Sequence, residues 1–333
     1  MRKTLNPVIG RRLIVSVSLA ALSLVNFHAV AQGPGSYPDR PVKIIVPFAP
    51  GAGTDAMGRL IAQKLGEVMN GTFVVENRAG ASGAIGTQYV AQAPADGYTL
   101  LLVASPFTTV AAALPTAGYD PIRQFAPVGM IASGPLVWAT SPAVPVRDMA
   151  QLLALARQKP GALNYGSAGT GGVNHLVLEL LKSRTKTYIT HIPYRGIAPA
   201  TLDMIGGQIQ LVTGTIPALL PFIKDGHVRA LAVTSAKRSS ALPDVPSMSE
   251  SGLPGFDVLN YFAIAAPANT PASVVNALNS AINKVLLLPE VVARFKADAT
   301  EAAPGSPEQL GKFIEADYNG WRKVVQIQNL KVD

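Results

Sequence analysis

The apolar positions of the chain fall into short runs that alternate with amphipathic stretches. Three runs in the first third, residues 42–48, 73–77 and 98–104, are rich in Val, Ile and Leu and lie between turn residues. Runs of this length and composition predict strands. Because a strand covered on both faces has no polar side, their continuous apolar character predicts parallel strands with helices packed on both faces of the sheet.

The stretch after the first run has the spacing of a helix. Five apolar residues recur every three or four positions and share one face: Met57, Leu60, Ile61, Leu65 and Val68. We expect Thr54 or Asp55 to cap this helix at its amino end, since both side chains can accept a hydrogen bond from a free backbone N–H.

The same alternation resumes after Pro135. Strands are predicted at residues 136–140, 163–167, 189–194, 209–215 and 228–235, and helices at 148–158 and 173–182. The tail is predicted to be mainly helical. Thr270 and Pro271 open one helix there, and Ser306 opens another with capping-box spacing to Gln309.

The length of the chain favours two α/β lobes over a single sheet. We expect residues 37–134 and 237–333 to form the first lobe and residues 135–236 to form the second. The chain would then cross between the lobes near 131–135 and again near 230–237. A cleft between such lobes is a common place for a ligand, because the carboxyl ends of the strands meet there.

The first 31 residues have the three parts of a signal peptide. Four basic residues without acidic ones are followed by an apolar run at 13–25 and by Ala29-Val30-Ala31, which fits the small-residue rule for cleavage after Ala31. An uncleaved membrane anchor is the alternative, but the apolar run is shorter than the roughly 20 residues that span a bilayer. We therefore expect an exported, periplasmic protein.

Charge and cysteine content narrow the function classes. Without the four basic residues of the leader, 24 of the 28 Lys and Arg remain against 20 Asp and Glu, a formal surplus of four. So small and dispersed a surplus argues against nucleic-acid binding. The sequence has no cysteine, no H-E-x-x-H motif and no Asp-rich calcium loop. We expect no disulfides, no metal and no cofactor.

Three glycine-rich segments follow predicted strands: residues 50–55, 80–83 and 167–172. Backbone N–H groups at the start of a helix can hold an anion, and loops at the carboxyl ends of neighbouring strands face one cleft. The first segment has neither a Gly-Lys-Ser/Thr ending nor G-x-G-x-x-G spacing, so we do not expect a nucleotide phosphate site. Tight turns that need glycine for backbone reasons alone are the other interpretation.

Catalytic interpretations have less support. Residues 80–84 resemble the G-x-S-x-G nucleophile elbow, but the last position is alanine. His175 begins the helix after the third segment, where it could contact a ligand or simply cap the helix. Arg195 adjoins another glycine-rich turn and could neutralise an acid or remain solvated. A secreted serine hydrolase that uses Ser82 or Ser167 stays as an alternative.

Seven separated blocks resemble one protein family. In order they are YPDRPVKIIVPFAPGAGTD, VVENRAGASGAIG, ADGYTLLL, NYGSAGTGGVNH, HIPYRGIAPA, LPDVPSMSESGLPGF and APANTPASVVNALN. They are similar to the blocks of Bug-type (TctC-like) proteins, the substrate-binding proteins of tripartite tricarboxylate transporters, over residues 37–321. The resemblance implies a periplasmic binding protein fold of type II, with two doubly wound α/β lobes around a ligand cleft. It also implies a monomer without enzymatic activity and membrane permease subunits as partners.

The resemblance further implies which residues contact the ligand. The family's first ligand loop corresponds to Pro50, Gly51, Ala52, Gly53, Thr54 and Asp55. The second corresponds to Ser167, Ala168, Gly169 and Thr170, with His175 just beyond. The predicted set also includes Ser82, Gly83, Ser105 and Arg195.

The expected ligand is a small mono- or dicarboxylate. Proteins of this family are known for holding a ligand carboxylate through loop amides and ordered waters. Helix N-termini and backbone N–H groups suit that role because they offer partial positive charge but no acceptor. Gln210 and Gly214 stand where the family often has acidic residues, so a partner for a ligand ammonium is missing. A periplasmic sensor that docks on a signalling receptor would share the cleft and stays as an alternative.

Overall fold

The computed structural model describes residues 37–51 and 53–330. The predicted signal peptide and Ala52 lie outside these residues. Ten strands are described: β1 (Val42–Val46), β2 (Phe73–Asn77), β3 (Thr99–Ala104), β4 (Phe125–Thr140), β5 (Asn164–Ser167), β6 (Thr190–Pro193), β7 (Leu211–Thr215), β8 (Arg229–Val233), β9 (Leu259–Pro267) and β10 (Glu301–Ala302). The α-helices described are α1 (Gly53–Met69), α2 (Ala84–Ala91), α3 (Pro106–Ala113), α4 (Met149–Gln158), α5 (Val173–Thr185), α6 (Ile197–Ile205), α7 (Ile216–Lys224), α8 (Ala272–Val285), α9 (Pro289–Ala297) and α10 (Pro307–Ile327).

The strands form one sheet with the order β2-β1-β3-β9-β4-β7-β5-β6, and both β8 and β10 pair with β4. β1 is parallel to β2 and β3, and β5 is parallel to β6 and β7. β4 is antiparallel to β7, β8, β9 and β10, and β9 is antiparallel to β3. The sheet therefore has a first part (β1, β2, β3, β9, β10) and a second part (β5, β6, β7, β8), which β4 connects.

β4 changes partners along its length. Residues 125–135 pair with β9, and residues 136–140 pair with β7. The chain thus passes from the first part of the sheet to the second between Pro135 and Leu136. It returns somewhere between the end of β8 at Val233 and the start of β9 at Leu259.

Each part of the sheet has its own buried cluster of apolar side chains. In the first part, the buried face of α1 presents Met57, Ile61 and Leu65 to a cluster that includes Ile44 of β1 and Leu100 of β3. Full burial of such a side chain stabilises the fold by about 1.5–3 kcal/mol. The apolar stripe of α1 therefore fixes the helix on the sheet and with it the position of the segment that precedes it.

The second cluster is built around Trp138 of β4 and Tyr165 of β5, whose ring centroids lie 5.6 Å apart. Met248, Phe256 and Val258, from the segment between β8 and β9, belong to the same cluster. That segment packs with the second part of the sheet before the chain returns to the first.

Most predicted elements are confirmed in kind, with somewhat different bounds. The first three strands are parallel as expected, but parallel pairing does not continue along the chain, since β4 and β9 run against their neighbours. The tail is mainly helical as expected, although it also contains β9, a nine-residue strand that was not predicted. The length predicted for β4 is wrong, because this strand has 16 residues rather than five. β4 and β9 pair across a long stretch of sequence, so their pairing leaves no local signal.

The capping box at the start of α10 is confirmed. Ser306 Oγ accepts a hydrogen bond from Gln309 N at 3.3 Å, and Gln309 Oε1 accepts one from Ser306 N at 2.8 Å. The cap predicted for α8 is wrong, because that helix begins at Ala272 after Pro271. The hydroxyl of Thr270 instead donates to Pro267 O at 2.8 Å.

The start of α1 also differs from the prediction. The helix begins at Gly53, so Thr54 and Asp55 lie inside its first turn. Asp55 still accepts a backbone N–H, but the donor is Gly51, which precedes the helix. The side chain therefore organises the loop before α1.

Candidate ligand-binding cleft

The first glycine-rich segment is held by the side chain of Asp55. Its Oδ2 accepts hydrogen bonds from Gly51 N and Arg59 Nε, both at 3.0 Å. Its Oδ1 accepts from Asn77 Nδ2 at 2.8 Å, and Asn77 also donates to Phe48 O at 3.1 Å. Both carboxylate oxygens are used within the protein, and Asp55 is only 4% exposed. The geometry makes Asp55 a residue that orders the segment.

These contacts hold the pKa of Asp55 at about 2, below its usual 3.8. The hydrogen bond from Arg59 contributes most, followed by those from Gly51 and Asn77. The carboxylate is therefore ionised at neutral pH, and Arg59 neutralises its charge. Asp55 can stand beside an anion site without repelling the anion strongly.

The outer rim of the first segment is open. Pro50, Gly51 and Gly53 are exposed, and Thr54 is half-buried. A Cβ atom placed on Gly51 or Gly53 would meet no atom within 4 Å. Gly51 has φ +83°, a conformation that favours glycine. The rim leaves space in which a ligand can approach the backbone.

The second glycine-rich segment, residues 80–83, makes a left-handed turn between β2 and α2. Gly80, Ala81, Ser82 and Gly83 have φ values of 138°, 46°, 53° and 97°. Positive φ at a non-glycine residue costs of order 1 kcal/mol. The turn leaves Ala81 and Ser82 exposed. Strain of this kind at two adjacent residues is typical of functional sites.

The second segment lies close to the third and to Phe48, two residues before the first. A Cβ placed on Gly83 would lie 3.2 Å from the ring of Phe48, which follows β1. A Cβ placed on Gly169 would lie 3.8 Å from Ser82 Oγ and 3.8 Å from Tyr194 O. Segments 50–55 and 80–83 belong to the first part of the sheet and segment 167–172 to the second. The three segments thus meet where the two parts of the sheet face each other.

The third segment is fixed by a serine and two histidines. Ser167 Oγ accepts from Gly169 N at 3.1 Å and lies 2.6 Å from His191 Nε2. His175 Nδ1 accepts from Gly171 N at 3.2 Å. The rings of His175 and His191 stack, with centroids 3.8 Å apart and an angle of 13° between the planes. Side chains from β5, β6 and α5 therefore shape one loop.

Both histidines are neutral at pH 7. Burial lowers the pKa of His175 to about 4, and Lys182 contributes to the shift. Burial also lowers the pKa of His191 to about 3, with smaller contributions from His175 and Lys182. A neutral imidazole can accept a hydrogen bond at Nδ1, as His175 does from Gly171.

Several backbone donors of the segments have no protein acceptor. Within residues 37–51 and 53–330, the backbone N–H groups of Ala81, Ser82, Ala168 and Thr170 form no hydrogen bond. Their neighbours Gly51, Gly169 and Gly171 donate to side chains instead. Ala81, Ser82 and Ala168 are exposed, and Thr170 is half-buried. These four donors are available to a ligand.

The Ser167–His191 pair has only part of the geometry of a serine nucleophile and its base. Ser167 is fully buried, and a histidine with a pKa of about 3 is a weak base. A triad also needs a group that orients the histidine. The carboxylate of Glu179 lies 3.7 Å from His175 Nε2 and 2.8 Å from Lys182 Nζ, so it does not serve His191.

Two further predicted residues lie apart from the segments. Ser105 is only 1% exposed. Its Oγ accepts a hydrogen bond from Tyr261 N at 3.0 Å and donates one to Asn260 Oδ1, also at 3.0 Å. Arg195 is exposed between β6 and α6 and forms no ion pair within the described part of the chain.

A pocket of about 110 Å³ opens where the two parts of the sheet meet. It is lined by Gly53 at the start of α1, by Thr215 at the end of β7, and by Asn260 and Phe262 of β9. Of these residues, only Gly53 belongs to the predicted set. The available sequence signal for Asn260 was a polar amide inside an otherwise apolar run.

Gln210 and Gly214 do not line this pocket. Gln210 precedes β7, and its Oε1 accepts from Asn164 N at 2.9 Å. A Cβ placed on Gly214 would lie 3.0 Å from the side chain of Leu219 and 3.2 Å from that of Ile197. Both positions serve packing.

A larger pocket of about 430 Å³ lies beside Gly134 and Pro135 and contains none of the predicted residues.

Within the residues that the structure describes, no group of three or more His, Asp or Glu is placed to hold a metal ion. None of the described helices combines the length and the apolar character that crossing a membrane requires.

Solved structures share this fold. The periplasmic binding protein BugD matches with a TM-score of 0.77 and 33% identity, over 89% of this chain and 99% of that one. R. palustris Rpa4515 with adipate matches with a TM-score of 0.79 and 37% identity, over 88% and 98% of the two chains. MatC (Rpa3494) from Rhodopseudomonas palustris with bound malate matches with a TM-score of 0.77 and 29% identity, over 87% and 100%. The fold is that of a periplasmic solute-binding protein.

The family model described as "Tripartite tricarboxylate transporter family receptor" (TctC) matches residues 57–330. The chain belongs to this family, whose members are substrate-binding proteins rather than enzymes. The fold class and the family resemblance inferred from the sequence are thereby confirmed.

Proposed function

We propose that this protein captures a small organic carboxylate between segments 50–55, 80–83 and 167–172 and delivers it to the membrane subunits of a tripartite transporter. The strongest support is the set of backbone N–H groups without a protein acceptor in two of these segments. Such groups donate hydrogen bonds and offer nothing to a cation, so they favour an anion.

The anion would be held without a dedicated basic side chain. Asp55 is neutralised by Arg59, and His175 and His191 are uncharged at pH 7. Charge-assisted hydrogen bonds contribute about 1.5–3 kcal/mol each, so several of them offset the desolvation of a carboxylate. The result is an affinity in the micromolar range, about −8 kcal/mol. The exposed side chain of Arg195 adds longer-range attraction.

Two of the similar solved structures support a carboxylate ligand in particular. R. palustris Rpa4515 is described with adipate and MatC with malate. Both ligands are small dicarboxylates. For the present protein we propose only the carboxylate class of the ligand, because the residues that line its pocket need not recognise the same carbon chain.

We also propose that the two parts of the sheet behave as lobes that close on the ligand. The first lobe would hold residues 37–134 and the C-terminal part from about 237 onward, with crossings near 131–135 and 230–237. The packing of residues 248–258 with the second cluster favours moving the second crossing to the start of β9.

The place of action follows from the leader and the family. We propose that residues 1–31 are removed on export and that the mature protein works as a monomer in the periplasm. There it would meet the permease, for which the family is named. A sensor that docks on a receptor would use the same cleft.

Isothermal titration of the mature protein tests ligand capture. The panel contains mono- and dicarboxylates of four to eight carbons, the diamides of the same skeletons, sugars and nucleotides. At least one carboxylate should bind with micromolar affinity, whereas its diamide should not, and binding should weaken as the pH falls toward the ligand's own pKa of roughly 4. Binding of sugars without binding of any carboxylate would refute the proposal.

Uptake of the radiolabelled ligand tests delivery. Cells that express the cognate permease should accumulate the ligand only when this protein is present in the periplasm. A variant that cannot bind, such as Gly169→Val, is the control. Tight binding without any permease-dependent uptake would favour the sensor instead.

A further inference from the structure

We propose that Asn260 sets the specificity of the cleft for the far end of the ligand and that Ser105 fixes the orientation of its amide. Asn260 would donate a hydrogen bond to an oxygen at that end and disfavour an ammonium or a methyl group. This inference rests on the proposed function, in which the three segments hold the first carboxylate. It names the chemistry of the ligand's other end.

The orientation of Asn260 follows from the hydrogen bonds of Ser105. Ser105 Oγ accepts from Tyr261 N at 3.0 Å, which leaves its own proton to be donated. Asn260 Oδ1 lies 3.0 Å away and Leu259 O lies 3.4 Å away, so Oδ1 is the better acceptor. An amide turned the other way would donate to Ser105 Oγ and leave the hydroxyl proton only the longer contact with Leu259 O. Ser105 therefore holds the amide oxygen.

The amide nitrogen of Asn260 is left for the pocket. Its two N–H donors have no acceptor within residues 37–51 and 53–330, and the half-buried side chain lines the pocket between Gly53 and Thr215. The Thr215 side chain accepts no capping hydrogen bond from α7 and faces the same pocket. A half-buried donor without a partner favours an acceptor oxygen on the ligand.

The remaining walls of the pocket are largely apolar. Met57, Ile216 and Phe262 line it, and they suit a short carbon chain or an aromatic ring. Arg294 and Asp298 also border it, but Arg294 Nε lies 2.7 Å from Asp298 Oδ2, so these charges satisfy each other. The pocket thus combines apolar walls with one directed amide donor. The matching ligand is a carboxylic acid with an apolar middle and an oxygen acceptor at its far end, such as a dicarboxylate.

The expected discrimination follows from the unpaired donor. A monocarboxylate would place a methyl group against Asn260 Nδ2 and displace the water that otherwise solvates it. We expect this to weaken binding by about 10-fold to 100-fold relative to the dicarboxylate of equal length. An ω-amino acid would place one donor against another and should bind no better than the monocarboxylate.

Isothermal titration of the mature protein with matched pairs tests the inference. The pairs are succinate and butanoate, adipate and hexanoate, and suberate and octanoate, with the ω-amino acid that matches the tightest pair. The variants are Asn260→Leu, which has a similar shape, Asn260→Asp, which offers only acceptors, and Ser105→Ala, which frees the amide to turn. Arg123→Gln, in an exposed turn outside the cleft, is the control, and thermal melting checks that each variant folds.

In the wild type and in Arg123→Gln, the dicarboxylate of the tightest pair should bind more tightly than its monocarboxylate. Asn260→Leu should abolish that preference while the monocarboxylate binds as before, and Asn260→Asp should shift preference toward the ω-amino acid. Ser105→Ala should give an intermediate ratio. An unchanged ratio in Asn260→Leu would overturn this inference alone. A wild-type protein that binds no carboxylate would overturn the proposed function and this inference with it.

Discussion

The hydroxyl oxygen of Ser167 lies 2.6 Å from Nε2 of His191. The same oxygen accepts the backbone N–H of Gly169, so one side chain ties the loop after β5 to the neighbouring strand β6. The ring of His191 is backed by the stacked ring of His175, and the pKa of each histidine is well below its usual 6.5. Two neutral imidazoles therefore fix the loop.

The first prediction concerns the backbone of that loop. Gly169→Val should lower carboxylate affinity by more than about 100-fold, since a branched side chain at φ +135° displaces the loop and fills the space beside Ser82. Ser167→Ala should cost only about 10-fold, because one or two hydrogen bonds are lost and the backbone donors remain. Titration calorimetry measures both changes.

Gly226→Val is the matched control for this pair. Gly226 also has a positive φ, +74°, and lies in open space at the far end of α7. It should lower thermal stability without changing affinity. Equal, negligible effects of Gly169→Val and Ser167→Ala on binding would show that the loop does not hold the ligand.

The second prediction concerns Asp55. Asp55→Ala should weaken ligand binding and lower the free energy of unfolding by about 2–3 kcal/mol, because the partners Gly51, Arg59 and Asn77 lose their acceptor. Asp55→Asn, which keeps one oxygen acceptor, should be milder in both respects. Urea unfolding and calorimetry give the two quantities.

Asp120→Ala provides the comparison for Asp55→Ala. Asp120 Oδ1 accepts the backbone N–H groups of Ile122 and Arg123 at 2.8 and 3.0 Å in an exposed turn outside the cleft. Its removal should reduce stability but leave affinity intact. If the two alanine variants bind equally well, Asp55 does not order the ligand loop.

The third prediction concerns the pH dependence of stability. His175 and His191 have pKa values of about 4 and about 3 in the folded protein and about 6.5 when unfolded. Between pH 6.5 and 4 the unfolded chain binds protons that the folded protein does not. Stability should therefore be greatest above pH 6.5 and fall as the pH decreases, by up to about 1.4 kcal/mol per pH unit for each histidine.

His191→Gln isolates this effect. The variant should show a shallower fall in unfolding free energy between pH 6.5 and 4 than the wild type, as measured by urea unfolding. The low pKa of Asp55 affects stability below about pH 5, but Asp55 is present in both proteins, so its effect cancels from the difference between their profiles. Parallel pH profiles of wild type and variant would contradict the buried, neutral state of His191.

The fourth prediction concerns motion. If the two parts of the sheet are lobes that close on the ligand, a saturating carboxylate should reduce the radius of gyration of the mature protein in small-angle scattering. Gly169→Val, which should not bind, should show no change at the same ligand concentration. An unchanged radius for the wild type with bound ligand would exclude hinge closure.

The fifth prediction concerns the first crossing. A Cβ on Gly134 would lie 2.5 Å from Ala299 O and 3.0 Å from Thr300 Cγ2, so Gly134→Ala should destabilise the fold by about 1–3 kcal/mol. Gly320→Ala, inside α10 with no atom within 4 Å, should instead stabilise by about 0.5–1 kcal/mol. Thermal melting of the two variants should give shifts of opposite sign.

Local features of the sequence predicted a large share of the fold. Apolar runs and helical spacing identified most strands and helices, and Ser306 with Gln309 identified a helix start that the structure confirms. The antiparallel pairing of β4 with β9 could not be predicted in this way, because residues 125–135 meet partners more than a hundred positions away. Pairing between distant strands depends on the whole sheet rather than on either run.

The sequence by itself determined the strand–glycine–helix segments, because turns with positive φ and exposed backbone N–H groups favour glycine. It also determined the family, through seven blocks in a fixed order. Only the tertiary structure decided which side chains act on the cleft. Asn260 is oriented by Ser105, 155 positions earlier in the chain, and His191 reaches Ser167 from a neighbouring strand. Contacts of this kind arise when β3 lies beside β9 and β5 beside β6, and nothing in the local sequence around either partner encodes them.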